Sequence, residues 1–119
     1  MQAVLIVSHG SHSPKTKQEI KALVLKFKGK THIPIIAYAI LEIEKPSIPE
    51  GIQNCFDQGA REIKILLNFL NSGQHVDQDI PQLVKEARLK YPGLTIKISS
   101  PVGQHEGIVD LFLDLMKRT

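Results

Sequence analysis

"AVLIVSHGS", residues 3 to 11, decides how the rest of the chain is read: five apolar residues, three of them β-branched, run unbroken into a polar turn that contains a glycine. A short apolar run of this composition, closed by Gly10, reads as a strand buried on both faces. Beyond Pro14, the residues Ile20, Leu23, Val24 and Phe27 recur at spacings of three and four. That spacing puts them on one side of a helix, as needed to cover a sheet. Strand, tight turn and helix together make the first half of a βα unit.

The same alternation recurs three times. "IPIIAYAIL" (33–41), "EIKILLNFL" (62–70) and "LTIKISS" (94–100) are strand-like. They are followed by helical stripes at Ile48, Ile52, Cys55 and Phe56, then Ile80, Leu83, Val84 and Ala87, then Ile108, Leu111, Phe112 and Leu115. Ser47 with Glu50 forms a capping box with Pro49 in the first turn, and Asp79 before Ile80-Pro81 reads as a second helix start. Gly29, Gly59 and Gly93 fall where helices should stop. The order is βαβαβαβα, an α/β chain. It predicts a doubly wound, four-stranded, mainly parallel sheet with helices on both faces and right-handed crossovers.

Composition excludes several classes. A chain of 119 residues, 42% hydrophobic and 23% charged, is expected to form one domain over 1–119 with a core that needs neither disulfide nor metal staples. No run approaches the roughly 18 apolar residues of a membrane span. The start, "MQAVLIVSHG", has no basic n-region and no small-residue cleavage site, so a cytoplasmic protein is expected. The lone Cys55 rules out an internal disulfide framework and a thiolate zinc cluster, and its helical setting suits a small buried hydrophobe. A net charge of +3 favours an anionic ligand. Nucleic acid is a poor fit, because four phenylalanines, two tyrosines and no tryptophan offer no basic run interleaved with stacking platforms.

In an open parallel sheet the ligand site lies at the carboxyl ends of the strands, where strand order reverses. His9, His75 and His105 fall in three of the four loops at those ends, and His12 lies beside the first. Imidazole binds iron, cobalt, nickel and zinc, and also suits proton transfer. Glu42, after the second strand, would complete a two-histidine, one-carboxylate set with open coordination positions. Ser11 is an alternative nucleophile with His9 or His75 as its base, although no acid in the matching role is identifiable. Dinucleotide, phosphate-loop and nucleophile-elbow motifs are absent.

With "VSHGS", "LEIEKPSIPE", "QGAREIKILLNFLNSGQHVDQDIP" and "YPGLTIKISSPVGQHEGIVDL" in place, the chain closely resembles the short class II tetrapyrrole chelatases. These form the sirohydrochlorin cobaltochelatase and ferrochelatase group, CbiX- and SirB-like, and the resemblance covers nearly the full length. It implies insertion of a divalent metal, Co2+ or Fe2+ with Ni2+ a third option, into sirohydrochlorin or a related anionic tetrapyrrole, on the way to cobalamin or siroheme. It also implies that His9 and His75 bind the metal, that His9, His75 and Glu42 are catalytic, and that Ser11, His12, Lys45, Gly73 and Gln74 contact substrate. Helix N-termini near Thr16, Ser47 and Asp79, with Lys15, are further candidates for holding substrate carboxylates. No cofactor beyond the metal substrate is implied, and the short form is expected to work as a homodimer. The family commonly has arginine where this chain has His12. The alternative function is a carrier of metal or tetrapyrrole that uses the same loops without turnover.

Overall fold

A computed structural model describes residues 1–119. Four parallel strands, β1 (Gln2–Ser8), β2 (Ile35–Ile40), β3 (Glu62–Leu67) and β4 (Thr95–Pro101), lie in the order β2-β1-β3-β4. Four helices alternate with them: α1 (Pro14–Lys28), α2 (Ile48–Asp57), α3 (Ile80–Lys90) and α4 (Ile108–Arg118). The first crossover moves from β1 to β2, and the next two move the other way. With right-handed connections this puts α1 on one face and α2 and α3 on the opposite face. The packing agrees: Val24 of α1 joins Val4, Ile6 and Ile36 in one cluster. The residues Ile48, Ile52, Cys55, Ile80 and Val84 pack with Leu5, Val7, Ile63 and Ile65 in the other.

Local chemistry sets most boundaries. The Ser47 hydroxyl accepts from the Glu50 amide, and the Glu50 carboxylate accepts from the Ser47 amide, completing the capping box. Those bonds, the backbone amide first, hold the Glu50 carboxyl below the usual carboxylate range. One turn into α2, Gly51 lies so close to β1 and β2 that a Cβ would come within 2.9 Å of the Ala39 Cβ. A larger residue would lift the helix off the sheet. Its neighbours Ile48 and Ile52 are fully buried, each contributing about 1.5–3 kcal/mol by the area removed from water. Among the expected stops, Gly59 alone is left-handed, at φ 106°, one residue beyond the α2 C-cap at Gln58.

Cys55 is wholly buried under α2, and burial pushes its thiol from 9.0 up to about 11. At pH 8 its thiolate is therefore about 100-fold scarcer than for a thiol at the ordinary value. In the folded protein Cys55 is expected to resist a thiol-labelling reagent, and it should react stoichiometrically once urea unfolds the chain. Fast native-state labelling would contradict this placement.

Four expectations are refined or corrected. β3 ends at Leu67 rather than Leu70, because its last partner on β4 is Pro101, which has no N–H for the ladder. The Leu67 amide donates to the Ser99 hydroxyl, where the β3–β4 register shifts. The first helix begins at Pro14 after Ser13, two residues before Thr16. Asp79 does precede α3 as expected, but its side chain caps no amide, because the backbone there is already in α conformation, continuing from the turn His75–Asp79. Finally, α4 does not cover the sheet. It buries none of its own residues, and Leu111, Phe112 and Leu115 are all more than half exposed. No helix is long and apolar enough to cross a membrane.

Candidate metal centre at the strand ends

Strand order reverses between β1 and β3, so the loops leaving them diverge to opposite faces and open a crevice at their carboxyl ends. His9 follows β1 directly. Pairing of β1 with β2 continues beyond the strands, with the Leu41 amide donating to the Ser8 carbonyl (2.8 Å) and the Glu42 amide to the His9 carbonyl (3.1 Å). That extension carries Glu42 to the side of His9. Gly10, at φ 112°, completes the arrangement, since a Cβ there would collide with the Glu42 carbonyl. Ile43 also has positive φ, 77°, a costly conformation for a β-branched residue, placed directly behind Glu42.

His75 arrives from the other side of the crevice. It opens a single wide turn, His75–Asp79, in which the Ile80 amide reaches back to the His75 carbonyl. The wide turn follows from Pro81, which has no N–H for the Asp77 carbonyl and whose ring crowds it. Such turns recur at functional sites because they re-aim side chains.

The outcome is a compact donor set. One ligand atom from each of His9, Glu42 and His75 lies within 4.8 Å of the others. His9 Nε2 is 2.8 Å from Glu42 Oε1, and His75 Nε2 is 3.5 Å from the same oxygen. Donors held about 2.0–2.2 Å from one ion are spaced at about 3.0–3.5 Å, so the set requires little movement to close on a metal. All three side chains are close to half exposed, at 48%, 47% and 44%, which leaves room for further ligands. The Phe69 ring stands perpendicular to that of His9, with centroids 6.4 Å apart, and gives the site an apolar neighbour.

Sequence reasoning placed Asp79 at the start of α3 and missed the partner of its side chain. Its Oδ2 is 2.7 Å from His75 Nδ1, the acceptor position that orients a metal-ligating imidazole. With Nδ1–H donated to Asp79, His75 turns the lone pair of Nε2 toward Glu42, a geometry that suits a cation between them. The signal was the His-x-x-x-Asp spacing, which places both side chains on one face of a helical turn. Asp79→Ala should weaken Co2+ binding about 10–100-fold, followed by the visible absorption of bound Co2+, and Asp79→Asn should recover part of the loss. Equal affinity for Asp79→Ala and the parent would remove Asp79 from the site.

Other candidates are placed elsewhere. His105 does not join the cluster: it follows a 3-10 turn, Val102–Gln104, and its Nδ1 accepts from the Gly107 amide at 2.8 Å, bracing the turn into α4. The Ser11 hydroxyl accepts from the Ser13 amide at 3.0 Å, and the Ser11 amide donates to Glu44, so its bonds shape the turn and engage no imidazole base. His12 is exposed one residue further on, beside the start of α1. Lys45 is 84% exposed, with Nζ 3.9 Å from Glu50. Gly73 and Gln74 are exposed immediately before His75, and Gly73 has φ 156°. Asn68, not anticipated, donates from Nδ2 to Ser8 Oγ at 3.0 Å and ties the ends of β1 and β3 together.

Comparison with known proteins places this geometry in context. A protein-family model described as CbiX matches residues 3–119. The chain is 33% identical over 111 residues to the chloroplastic sirohydrochlorin ferrochelatase of Arabidopsis thaliana, covering 93% of this chain and 49% of that protein. It is 34% identical over 84 residues to the sirohydrochlorin cobaltochelatase of Methanocaldococcus jannaschii, covering 71% and 59%. The crystal structure of the sirohydrochlorin chelatase SirB from Bacillus subtilis subspecies spizizenii, in complex with cobalt, superposes with a TM-score of 0.89 at 32% identity. That match covers 98% of this chain and 50% of SirB. The chain spans about half the length of the curated relatives it matches first.

Proposed function

The chain belongs to the CbiX family, and from that premise we propose that it is a chelatase inserting a divalent metal, Co2+ or Fe2+, into sirohydrochlorin. The observation that carries this reading is the half-open rim of His9, Glu42 and His75, three donors from three strand ends within 4.8 Å. A chelatase must hold its metal substrate firmly enough to strip bound water and loosely enough to release it. Two imidazoles and a carboxylate with open positions meet both needs, whereas a closed thiolate site would keep the ion.

Insertion exchanges one M2+ for two pyrrole protons. As the metal passes to the macrocycle nitrogens, the donors it leaves become the nearest bases. His9, His75 and Glu42 can share the two protons released, so charge at the rim is conserved. Glu42 Oε1 lies 2.8 and 3.5 Å from the two Nε2 atoms, close enough to pass a proton to or from either ring. Lys15, Lys45 and the N-termini of α1 and α2 lie beyond the same strand ends and are available to the substrate's carboxylates. His12, with one planar ring, offers less to a carboxylate than the bidentate fork of an arginine. No cofactor beyond the metal is required, and we read the working form as a cytoplasmic homodimer.

The test is anaerobic incubation with sirohydrochlorin and Co2+, Fe2+ or Ni2+, following the absorption change on metallation. Acceleration over the uncatalysed rate is expected. Tight macrocycle binding without acceleration would leave a carrier in its place.

A further inference from the structure

The two histidines of the rim are held from behind in different ways. A neutral imidazole that binds a metal through Nε2 carries its proton on Nδ1, and an acceptor for that proton fixes the plane of the ring. For His75 the acceptor is the Asp79 carboxylate, at 2.7 Å. For His9 it is a backbone carbonyl, that of Gly10, 3.4 Å from Nδ1. An uncharged oxygen at that distance is a weak guide for a ring whose Nε2 has to face Glu42. That carbonyl is itself held.

The Gly10 carbonyl and the Ser11 amide belong to one planar, trans peptide, so they point in opposite directions and turn together. The Ser11 amide donates to Glu44 Oε1 at 3.2 Å. The carboxylate therefore fixes one end of the plane, and the imidazole meets the other. It also polarises the peptide, because an N–H bonded to a charged acceptor makes its own carbonyl a stronger acceptor. The loop after β2 is shaped for this reach. Ile43, between the two carboxylates, adopts φ 77° with its side chain exposed, so no core packing offsets the unfavourable conformation. What it joins are two carboxylates used on one segment: Glu42 on the His9 ring, and Glu44, partly buried, on the Ser11 amide two residues later. The Glu42 amide, donating to the His9 carbonyl, is a third tie between the same two segments.

We propose that Glu44 is a positioning residue for His9, acting through the Gly10–Ser11 peptide as Asp79 acts directly on His75. This rests on the reading of His9 as a metal donor, and extends it to a carboxylate whose bonded partner is a backbone amide. The peptide is the relay: Glu44 sets the direction of the Gly10 carbonyl, the carbonyl takes the Nδ1 proton, and Nε2 is left facing the ion.

Binding of Co2+ alone to the full chain, followed by its visible absorption, tests this without tetrapyrrole. Glu44→Ala should weaken Co2+ binding about 10-fold, the lower end of the range for a group that orients a metal ligand, because it acts through a peptide. Glu44→Gln should recover most of the affinity, since its side-chain oxygen still accepts from the Ser11 amide. In a His9→Ala background the same Glu44→Ala change should cost less than about twofold, because the ring it positions is gone. In an Asp79→Ala background it should keep its full effect. With Zn2+ bound instead, the Nδ1 proton of His9, assigned by its loss in His9→Ala, should exchange with water faster in Glu44→Ala than in the parent. Circular dichroism and the urea midpoint should be unchanged in both Glu44 variants. A Glu44→Ala protein with the parent's affinity, a Glu44→Gln protein as weak as Glu44→Ala, or a loss that persists undiminished in His9→Ala would each overturn the proposal. The expected pattern in a chain that inserts no metal would refute the chelatase reading and keep Glu44 in its role.

Discussion

In His75→Ala, the proposed metal insertion into sirohydrochlorin is expected to fall by more than about 100-fold while the urea midpoint stays close to that of the parent. The size follows from position. Loss of a group that only orients a metal ligand costs about 10–100-fold, and the proposal makes His75 itself a donor, with Nε2 3.5 Å from Glu42 Oε1. The small stability effect has a different origin. His75 is 44% exposed, packs into neither hydrophobic cluster, and gives up one bond to a carboxylate that water can solvate instead. Substitutions of that kind usually fall within about 0.5 kcal/mol. Steady-state insertion assays with urea titration check both halves. A large stability loss with retained insertion would make His75 a structural residue and return the site to the sequence for a new assignment.

Gly10→Ala is expected to do damage of another kind. Gly10 adopts φ 112°, and a methyl group there would overlap the Glu42 carbonyl and approach the Ile40 side chain at 3.0 Å. The colliding atom is backbone and cannot swing aside, so the loop after β2 must move. Combining the conformational and steric costs gives a destabilisation of about 2–4 kcal/mol. Because Glu42 is the residue displaced, insertion should fall together with stability. Gly93→Ala serves as the control, since nothing lies within 4 Å of the Cβ it would gain, and it should shift stability by no more than about 0.5 kcal/mol. A Gly10→Ala protein with the parent's urea midpoint would show that the loop yields freely.

Much of the architecture was legible because each buried strand is a short apolar run and each helix on the sheet has a stripe at spacings of three and four. The capping box at Ser47 and Glu50 was readable for the same local reason. Glu42, His9 and His75 were brought into one frame by the rule that parallel sheets bind at their carboxyl ends, which requires no knowledge of strand order. The failures are instructive. Asp79 before Ile80-Pro81 has every mark of a helix start, yet its carboxylate is used by His75 four residues earlier, a competition that spacing alone does not decide. The stripe on α4 was read correctly as apolar and wrongly as covered by its own sheet. Periodicity reports that a face must be buried and says nothing of which surface buries it. His105 met the same strand-end rule as His9 and His75, and a 3-10 turn carried it elsewhere.

The rim draws its donors from the ends of three strands, and that spread has a thermodynamic corollary. Donors that lie 33 and 66 positions from His9 along the chain come together only when the sheet is complete, so the unfolded chain presents no comparable site. Metal binding and folding are then linked, and the ion stabilises the native state by RT ln(1 + [M]/Kd). For a structural ion that quantity is large and the protein melts when it is removed. A cargo ion must depart on every turnover, so its Kd lies near the free concentration and the gain is only about RT, a fraction of a kcal/mol. A chelator should therefore leave the melting curve of this protein almost where it was, a signature that separates an ion in transit from one that holds its host together.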